Sequence, residues 1–182
     1  RYENFTVDSA GGADASDGIE VWAGNGIKMR DINIYNQGDH GLNIRTGNLG
    51  LYENITAQLN TGSGVRIEGS TGYAGGSANA NVFININSLA NGGSGFRIVN
   101  TLAGYSSSNF GIGITVQQNA TYGLYISDMT NVFQVYAESN ITYDVILDNN
   151  STRNYVTINA MGTYTTSYAD GGTNNVIMDV AQ

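Results

Sequence analysis

Apolar and polar residues alternate over short stretches of this chain, and the alternating stretches recur. One set begins with Gly followed by an apolar, polar, apolar triplet; its starts are Gly18, Gly41, Gly64, Gly95 and Gly123. Asp144 and Asn175, each followed by three apolar residues, continue the series. These starts are 21–31 residues apart. A second set of runs lies between them, at residues 27–35, 51–59, 82–89, 110–116, 132–137 and 155–160. Alternation with a period of two predicts half-buried β-strands.

The apolar positions of the first set are predicted to face the core and to stack at the inter-strand spacing of about 4.8 Å. They are Ile19/Val21, Leu42/Ile44, Val65/Ile67, Phe96/Ile98, Leu124/Ile126, Val145/Leu147 and Val176/Met178. A column of turn residues precedes these strands: Asn36, Asn60, Asn91, Asn119, Asn140 and Gly171. Asn and Gly adopt left-handed bends most readily. Variable periods, two or three strands per period and a marked bend predict an all-β fold, a parallel β-helix (solenoid) of about seven coils. A β-sandwich, with shorter and more even turn spacing, is the alternative.

Composition supports this fold and excludes several classes. The 182 residues include 25 Gly, 24 Asn and 30 Ser or Thr, but no Pro and no Cys, which excludes collagen and disulfide-stapled domains. A single His excludes the usual structural zinc sites. The net charge of −8 argues against nucleic acid as a partner, and no apolar run predicts membrane insertion. We expect residues 1–182 to form one domain, a fragment of a longer chain, because the sequence opens Arg1-Tyr2-Glu3 without Met.

The repeats resemble the right-handed parallel β-helix superfamily that includes pectate lyases, polygalacturonases, alginate C5-epimerases and phage or viral tailspikes. Gly38-Asp39-His40-Gly41-Leu42-Asn43-Ile44, followed by Asn60-Thr61-Gly62-Ser63-Gly64, is similar to the epimerase turn that leads a strand. By this resemblance His40 is the catalytic His. Asp39 stands where the epimerases have Arg, and Val99 where they have Lys.

Two further stretches resemble other members of this superfamily. Asp17 and Asp39, 22 residues apart, match the spacing of the acidic turns of polygalacturonases. The segment from Asn131 to Ile177 is similar to a tailspike or viral attachment β-helix. This likeness implies a polysaccharide receptor as partner, a homotrimer, and an extracellular or virion-surface location.

The predicted register places eight ionisable residues and one Trp of the first four repeats on one outward face. They are Asp17, Glu20, Trp22, Asp39, His40, Arg45, Arg66, Glu68 and Arg97. A lyase or epimerase would use Arg66 or Arg97 to neutralise a sugar carboxylate and His40 as the base. A hydrolase would need two carboxylates, and Asp17 with Asp39 are the candidates. A solvated charge ladder, and a His that bonds only to backbone, are the alternatives.

Aromatic and apolar residues predict two further contacts. Trp22, together with Tyr73 and Tyr105 in two long insertions, is suited to stacking on sugar rings. In the later repeats the outward column changes to Tyr125, Ile146 and Ile177, and an exposed apolar stripe of this kind predicts an oligomer interface.

The sequence therefore predicts a polysaccharide-binding domain of a viral or phage attachment spike. The alternatives are a lyase, C5-epimerase or glycoside hydrolase acting on an acidic glycan, and a structural spacer in a fibre. No cofactor is expected, and acidic turns at Asp14 and Asp17 are the only hint of Ca²⁺.

Overall fold

The computed structural model of the chain describes residues 1–9, 15–22, 24–69, 76–99, 106–160 and 168–180. These residues contain β-strands and no helix, so nothing in the described ranges forms a helix that could span a membrane. The strands are β1 (Tyr2–Asp8), β2 (Ile19–Val21), β3 (Gly24–Asn25), β4 (Lys28–Tyr35), β5 (Leu42–Ile44), β6 (Gly47–Asn48), β7 (Leu51–Gln58), β8 (Val65–Glu68), β9 (Val82–Leu89), β10 (Phe96–Val99), β11 (Phe110–Gln117), β12 (Tyr122–Ser127), β13 (Val132–Glu138), β14 (Tyr143–Leu147), β15 (Tyr155–Ala160), β16 (Tyr168–Asp170) and β17 (Val176–Asp179).

The strands form three parallel sheets, two of them long. The eight-stranded sheet has the order β1-β4-β7-β9-β11-β13-β15-β17, the seven-stranded sheet has the order β16-β14-β12-β10-β8-β5-β2, and β3 pairs with β6. The chain visits the two long sheets alternately, and each visit adds a strand beside the previous one. This arrangement is consistent with a β-solenoid.

The predicted register of the seven-stranded sheet is confirmed over six strands. Partners run from Ile19 to Leu42, Val65, Phe96, Leu124 and Val145. The predicted seventh member, Val176/Met178, is wrong. Val145 pairs instead with Tyr168 of β16, while β17 joins the eight-stranded sheet as the partner of β15.

The long strands bend at a residue in the left-handed region, which interrupts their alternation. Asp31, Asn54 and Asn85 each have φ of 54°, and Gly113 has φ of 66°. The bend turns two consecutive residues outward: Arg30 and Asp31 lie between the buried Met29 and Ile32. The outward Asn side chains also join neighbouring strands, since Asn54 Nδ2 donates to Asp31 Oδ1 at 2.7 Å.

Buried Asn residues connect successive repeats in two ladders. In the predicted ladder, Asn60, Asn91 and Asn119 each donate main-chain and side-chain N–H groups to the Oδ1 of the next Asn, ending on Asn140. Its first member is Gln37, whose N–H donates to Asn60 Oδ1 at 3.1 Å, rather than Asn36. A second ladder, which was not predicted, consists of Asn81, Asn109, Asn131, Asn154 and Asn175.

Aromatic side chains fill the space between the two long sheets. Phe96 of the seven-stranded sheet contacts Phe83 and Phe133 of the eight-stranded sheet edge-on, with centroids 5.0 and 5.3 Å apart. Tyr52 stacks on Phe83 at 5.0 Å. These aromatic side chains pack against the inner face of the seven-stranded sheet. Polar side chains of that sheet lie on its outer face.

Candidate functional site

Asp17, Asp39 and His40 meet at the N-terminal ends of β2 and β5. One ligand atom from each of the three lies within 4.8 Å of the other two. Backbone pairing produces this approach, because Gly18 N–H donates to the carbonyl oxygen of His40 at 2.8 Å. One carboxylate oxygen of Asp17 is thus at most 4.8 Å from one of Asp39; retaining glycosidases hold their two carboxyl groups about 5–5.5 Å apart.

The two carboxylates differ in their surroundings. The Asp17 side chain is buried; its Oδ1 accepts the His40 N–H at 3.1 Å and its Oδ2 accepts Asn43 Nδ2 at 2.7 Å. The Asp39 side chain is 43% exposed and lies 3.4 Å from His40 Nε2. Asp17 is thus held in place by the fold, whereas Asp39 faces solvent and any ligand.

His40 is buried, and both of its ring nitrogens have neighbours. Ser63 N–H donates to Nδ1 at 2.8 Å, and Arg66 Nη1 lies 2.7 Å from Nε2. Burial is the main cause of a pKa below the usual 6.5, against the opposing effect of Asp39. A backbone N–H and a guanidinium N–H can each only donate, and a neutral imidazole accepts at one nitrogen only, so Ser63 and Arg66 compete for the single acceptor of the ring. The role of His40 as a base remains a prediction.

Arg45, Arg66 and Glu68 form an ion-pair network beside this cluster. The Glu68 side chain is buried; its Oε1 accepts from Arg45 at 2.7 Å and its Oε2 from Arg66 at 2.5 Å. Arg45 also pairs with Glu20 and stacks over the Trp22 ring, with its guanidinium carbon 5.1 Å from the ring centroid. The structure therefore brings these five predicted residues together on one face.

Arg97 lies one strand further along the same face, on β10. Its guanidinium carbon is 5.0 Å from the ring centroid of Tyr125, whose hydroxyl donates to Asp148 Oδ2 at 2.5 Å. Tyr122 stacks with Tyr125 at 5.5 Å and with Tyr143 at 6.3 Å. Burial is the main cause of a raised pKa for Tyr125, which keeps its hydroxyl protonated.

Other predicted site residues have different outcomes. Tyr73 and Tyr105 lie outside the described residues. The prediction that Ile177 follows Ile146 in one outward column is wrong, because Ile146 pairs with Ala169 and Ile177 pairs with Val156. Ile177 packs partly buried against the core from the eight-stranded sheet.

A cation at the Asp17, Asp39 and His40 cluster would depend on the carboxylates. Both ring nitrogens of His40 face N–H donors, from Ser63 and Arg66, so neither is open to a metal in this geometry. Asp14, the other acidic residue considered for Ca²⁺, lies outside the described residues.

The outer face of the eight-stranded sheet carries an apolar surface that was not predicted. Its main column, in register over six strands, consists of Leu51, Val82, Phe110, Val132, Tyr155 and Val176. Phe110 and Val132 are 43% and 40% exposed. The sequence signal is an apolar pair at the start of the long strands, such as Val82-Phe83 and Val132-Phe133, because only one residue of each pair can face the core.

Comparisons with protein-family models, with curated proteins and with solved structures found no match for this chain.

Proposed function

We propose that the chain binds an extracellular polysaccharide along the outer face of its seven-stranded sheet. The observation that carries this proposal is the exposed Trp22 ring, on which Arg45 stacks while its guanidinium pairs with Glu20 and Glu68. Aromatic rings stack on the apolar faces of sugars while adjacent charged groups bond to hydroxyls. A flat, rigid row of such groups fits an extended glycan.

The wider setting of this proposal is a right-handed parallel β-helix of about seven coils in a viral or phage attachment spike. In such a spike three copies associate side by side. The apolar surface of the eight-stranded sheet supports contact between copies, because its apolar residues occupy six successive strands while Lys28, Arg30 and Glu53 collect at one end. When copies lie side by side in the same direction, the apolar strands of one copy therefore lie against the apolar strands of the next.

The chain has a single Trp, so its fluorescence reports binding directly. Titration with plant, algal and bacterial oligosaccharides should shift the emission of Trp22, and Trp22→Ala should weaken binding measured by calorimetry about tenfold. The matched control is Tyr2→Ala, an exposed aromatic residue on the eight-stranded sheet. No affinity for any glycan, or equal losses in the two variants, would refute the proposal.

Association of copies is tested separately by sedimentation. Phe110→Glu places a charge in the apolar column and should convert a trimer to monomers, whereas Leu59→Glu, an exposed residue outside that column, should leave the trimer intact. A monomeric wild-type chain at micromolar concentration would contradict side-by-side association.

A second candidate function is hydrolysis of an acidic glycan, favoured by the approach of Asp17 to Asp39 within 4.8 Å. Asp39 faces solvent and would meet the sugar, and its Oδ1 lies 3.4 Å from His40 Nε2. Asp39→Asn should abolish the appearance of new reducing ends and keep glycan binding. Asp31→Asn, on the opposite sheet, is the control. Wild-type protein that releases no reducing ends and no unsaturated sugars would exclude this candidate.

A further inference from the structure

One end of the glycan-binding face carries a row of four partly exposed side chains. Arg97 lies over Tyr125, Tyr125 stacks with Tyr122, and Tyr122 stacks with Tyr143. We call Tyr122, Tyr125 and Tyr143 the tyrosine row. Asp148 accepts a hydrogen bond from Tyr125 and so fixes the orientation of that ring. This end of the face thus combines aromatic surface with one cation, Arg97, and one carboxylate, Asp148, which is bonded to Tyr125.

The charge of Arg97 differs from that of its neighbours on the face. Arg45 and Arg66 both pair with Glu68, whereas Arg97 has no carboxylate within 4.0 Å in the part of the chain that the structure describes. The Nε of Arg97, like that of Arg66, is buried and has no hydrogen-bond partner among the described residues. Arg66 and Arg97 are direct partners in the sheet register, and like charges placed opposite each other are unfavourable.

These contacts leave the charge of Arg97 without an acidic partner among the described residues. A guanidinium stacked on an aromatic ring can still present its two terminal Nη groups to a planar, bidentate acceptor, and a carboxylate matches that edge. An acidic ligand would also relieve the repulsion between Arg66 and Arg97. A neutral ligand would do neither.

We propose that Arg97 and the tyrosine row form a subsite for a uronic-acid residue, with the carboxylate on Arg97 and the sugar ring against the tyrosines. This inference rests on the proposed function and adds to it the class of glycan, one that bears carboxylates. It also assigns Tyr125 to the glycan-binding face, in place of the predicted oligomer interface.

The test compares acidic oligosaccharides with their own neutral counterparts. Oligogalacturonate, oligomannuronate and hyaluronan fragments are each titrated by calorimetry before and after reduction of their carboxyl groups to primary alcohols. Wild-type protein should prefer at least one acidic form by about tenfold. Arg97→Gln should remove this preference and leave affinity for the reduced form unchanged, and Arg97→Lys should retain part of it. Arg153→Gln, an exposed Arg between β14 and β15, is the matched control and should behave as wild type.

The outcomes separate this subsite from the proposed function. Binding that depends on Trp22 but treats acidic and reduced glycans alike would overturn the subsite and leave the glycan-binding proposal standing. Equal loss of both forms in Arg97→Gln would also overturn it, since the residue would then act only through packing. Absence of binding to every oligosaccharide would overturn both. Thermal unfolding of each variant confirms that the folded proteins are compared.

Discussion

Asn119→Ala should remove the centre of the predicted Asn ladder and destabilise the protein strongly. The Asn119 side chain is buried and makes four hydrogen bonds of 2.9–3.3 Å, to Asn91 N–H, Asn91 Nδ2, Asn140 Oδ1 and the Ser88 carbonyl. Alanine leaves the buried Asn91 N–H without an acceptor, which costs roughly 1–3 kcal/mol, and removes three further bonds worth about 0.5–1 kcal/mol each. The free energy of unfolding should fall by about 3–5 kcal/mol.

Urea denaturation followed by circular dichroism measures this change. With an m-value of about 2–3 kcal/mol/M, the midpoint should fall by roughly 1–2 M. Asn159→Ala is the matched control, because Asn159 is exposed on β15 and its substitution should change stability by less than about 0.5 kcal/mol. If Asn119→Ala were as stable as this control, stacked Asn side chains would not be what holds successive repeats together.

Three further predictions concern buried groups. The pKa of His40 is lower in the folded chain than in the unfolded chain, so the unfolded chain takes up this proton at a higher pH and wild-type stability should fall as the pH drops below 6.5. His40→Asn, which can still accept the Ser63 N–H, should lose less stability between pH 7 and pH 5 in thermal scans. The same dependence of melting temperature on pH in both proteins would contradict this. Burial raises the pKa of Asp144 in the folded chain, so folding stability is lost as the pH rises above 3.8. Asp144→Asn should therefore raise the melting temperature at pH 7 but not at pH 3. A melting temperature below that of wild type at pH 7 would argue against a buried charge. Gly64→Ala places a Cβ 1.9 Å from Ser88 Oγ and should lower the free energy of unfolding by roughly 1–3 kcal/mol in urea titrations. Gly47→Ala, whose Cβ has its nearest neighbouring atom at 3.3 Å, should lower it by less. Equal losses in the two variants would count against crowding at Gly64.

Periodicity alone predicted most of the fold, because the in-and-out alternation of a strand is a local property. It failed at Val176, where the wholly apolar triplet Val176-Ile177-Met178 fits either sheet. The second Asn ladder resolves the choice, since Asn immediately precedes β9, β11, β13, β15 and β17, and Asn175 is the last of these. A search for that second column would have placed Val176 correctly.

The candidate site could be predicted as a set of residues but not as a set of contacts. Stacking of repeats places Asp17 beside His40, and that follows from register. The two donors that face the ring nitrogens of His40 come from Ser63 and Arg66 on a neighbouring repeat, and the burial of Glu68 depends on the side-chain conformations of two Arg residues. Such choices are made by three-dimensional packing, and no spacing in the sequence encodes them.

The Asn ladders also bear on how such a chain can change over evolution. Successive members of the first ladder are 31, 28 and 21 residues apart, yet they make the same hydrogen bonds. The length of chain between two ladder positions is therefore not constrained by the core. Insertions, deletions or exchanged loops between ladder positions can alter ligand preference while each new repeat still docks on the last, so recognition and folding can diversify independently.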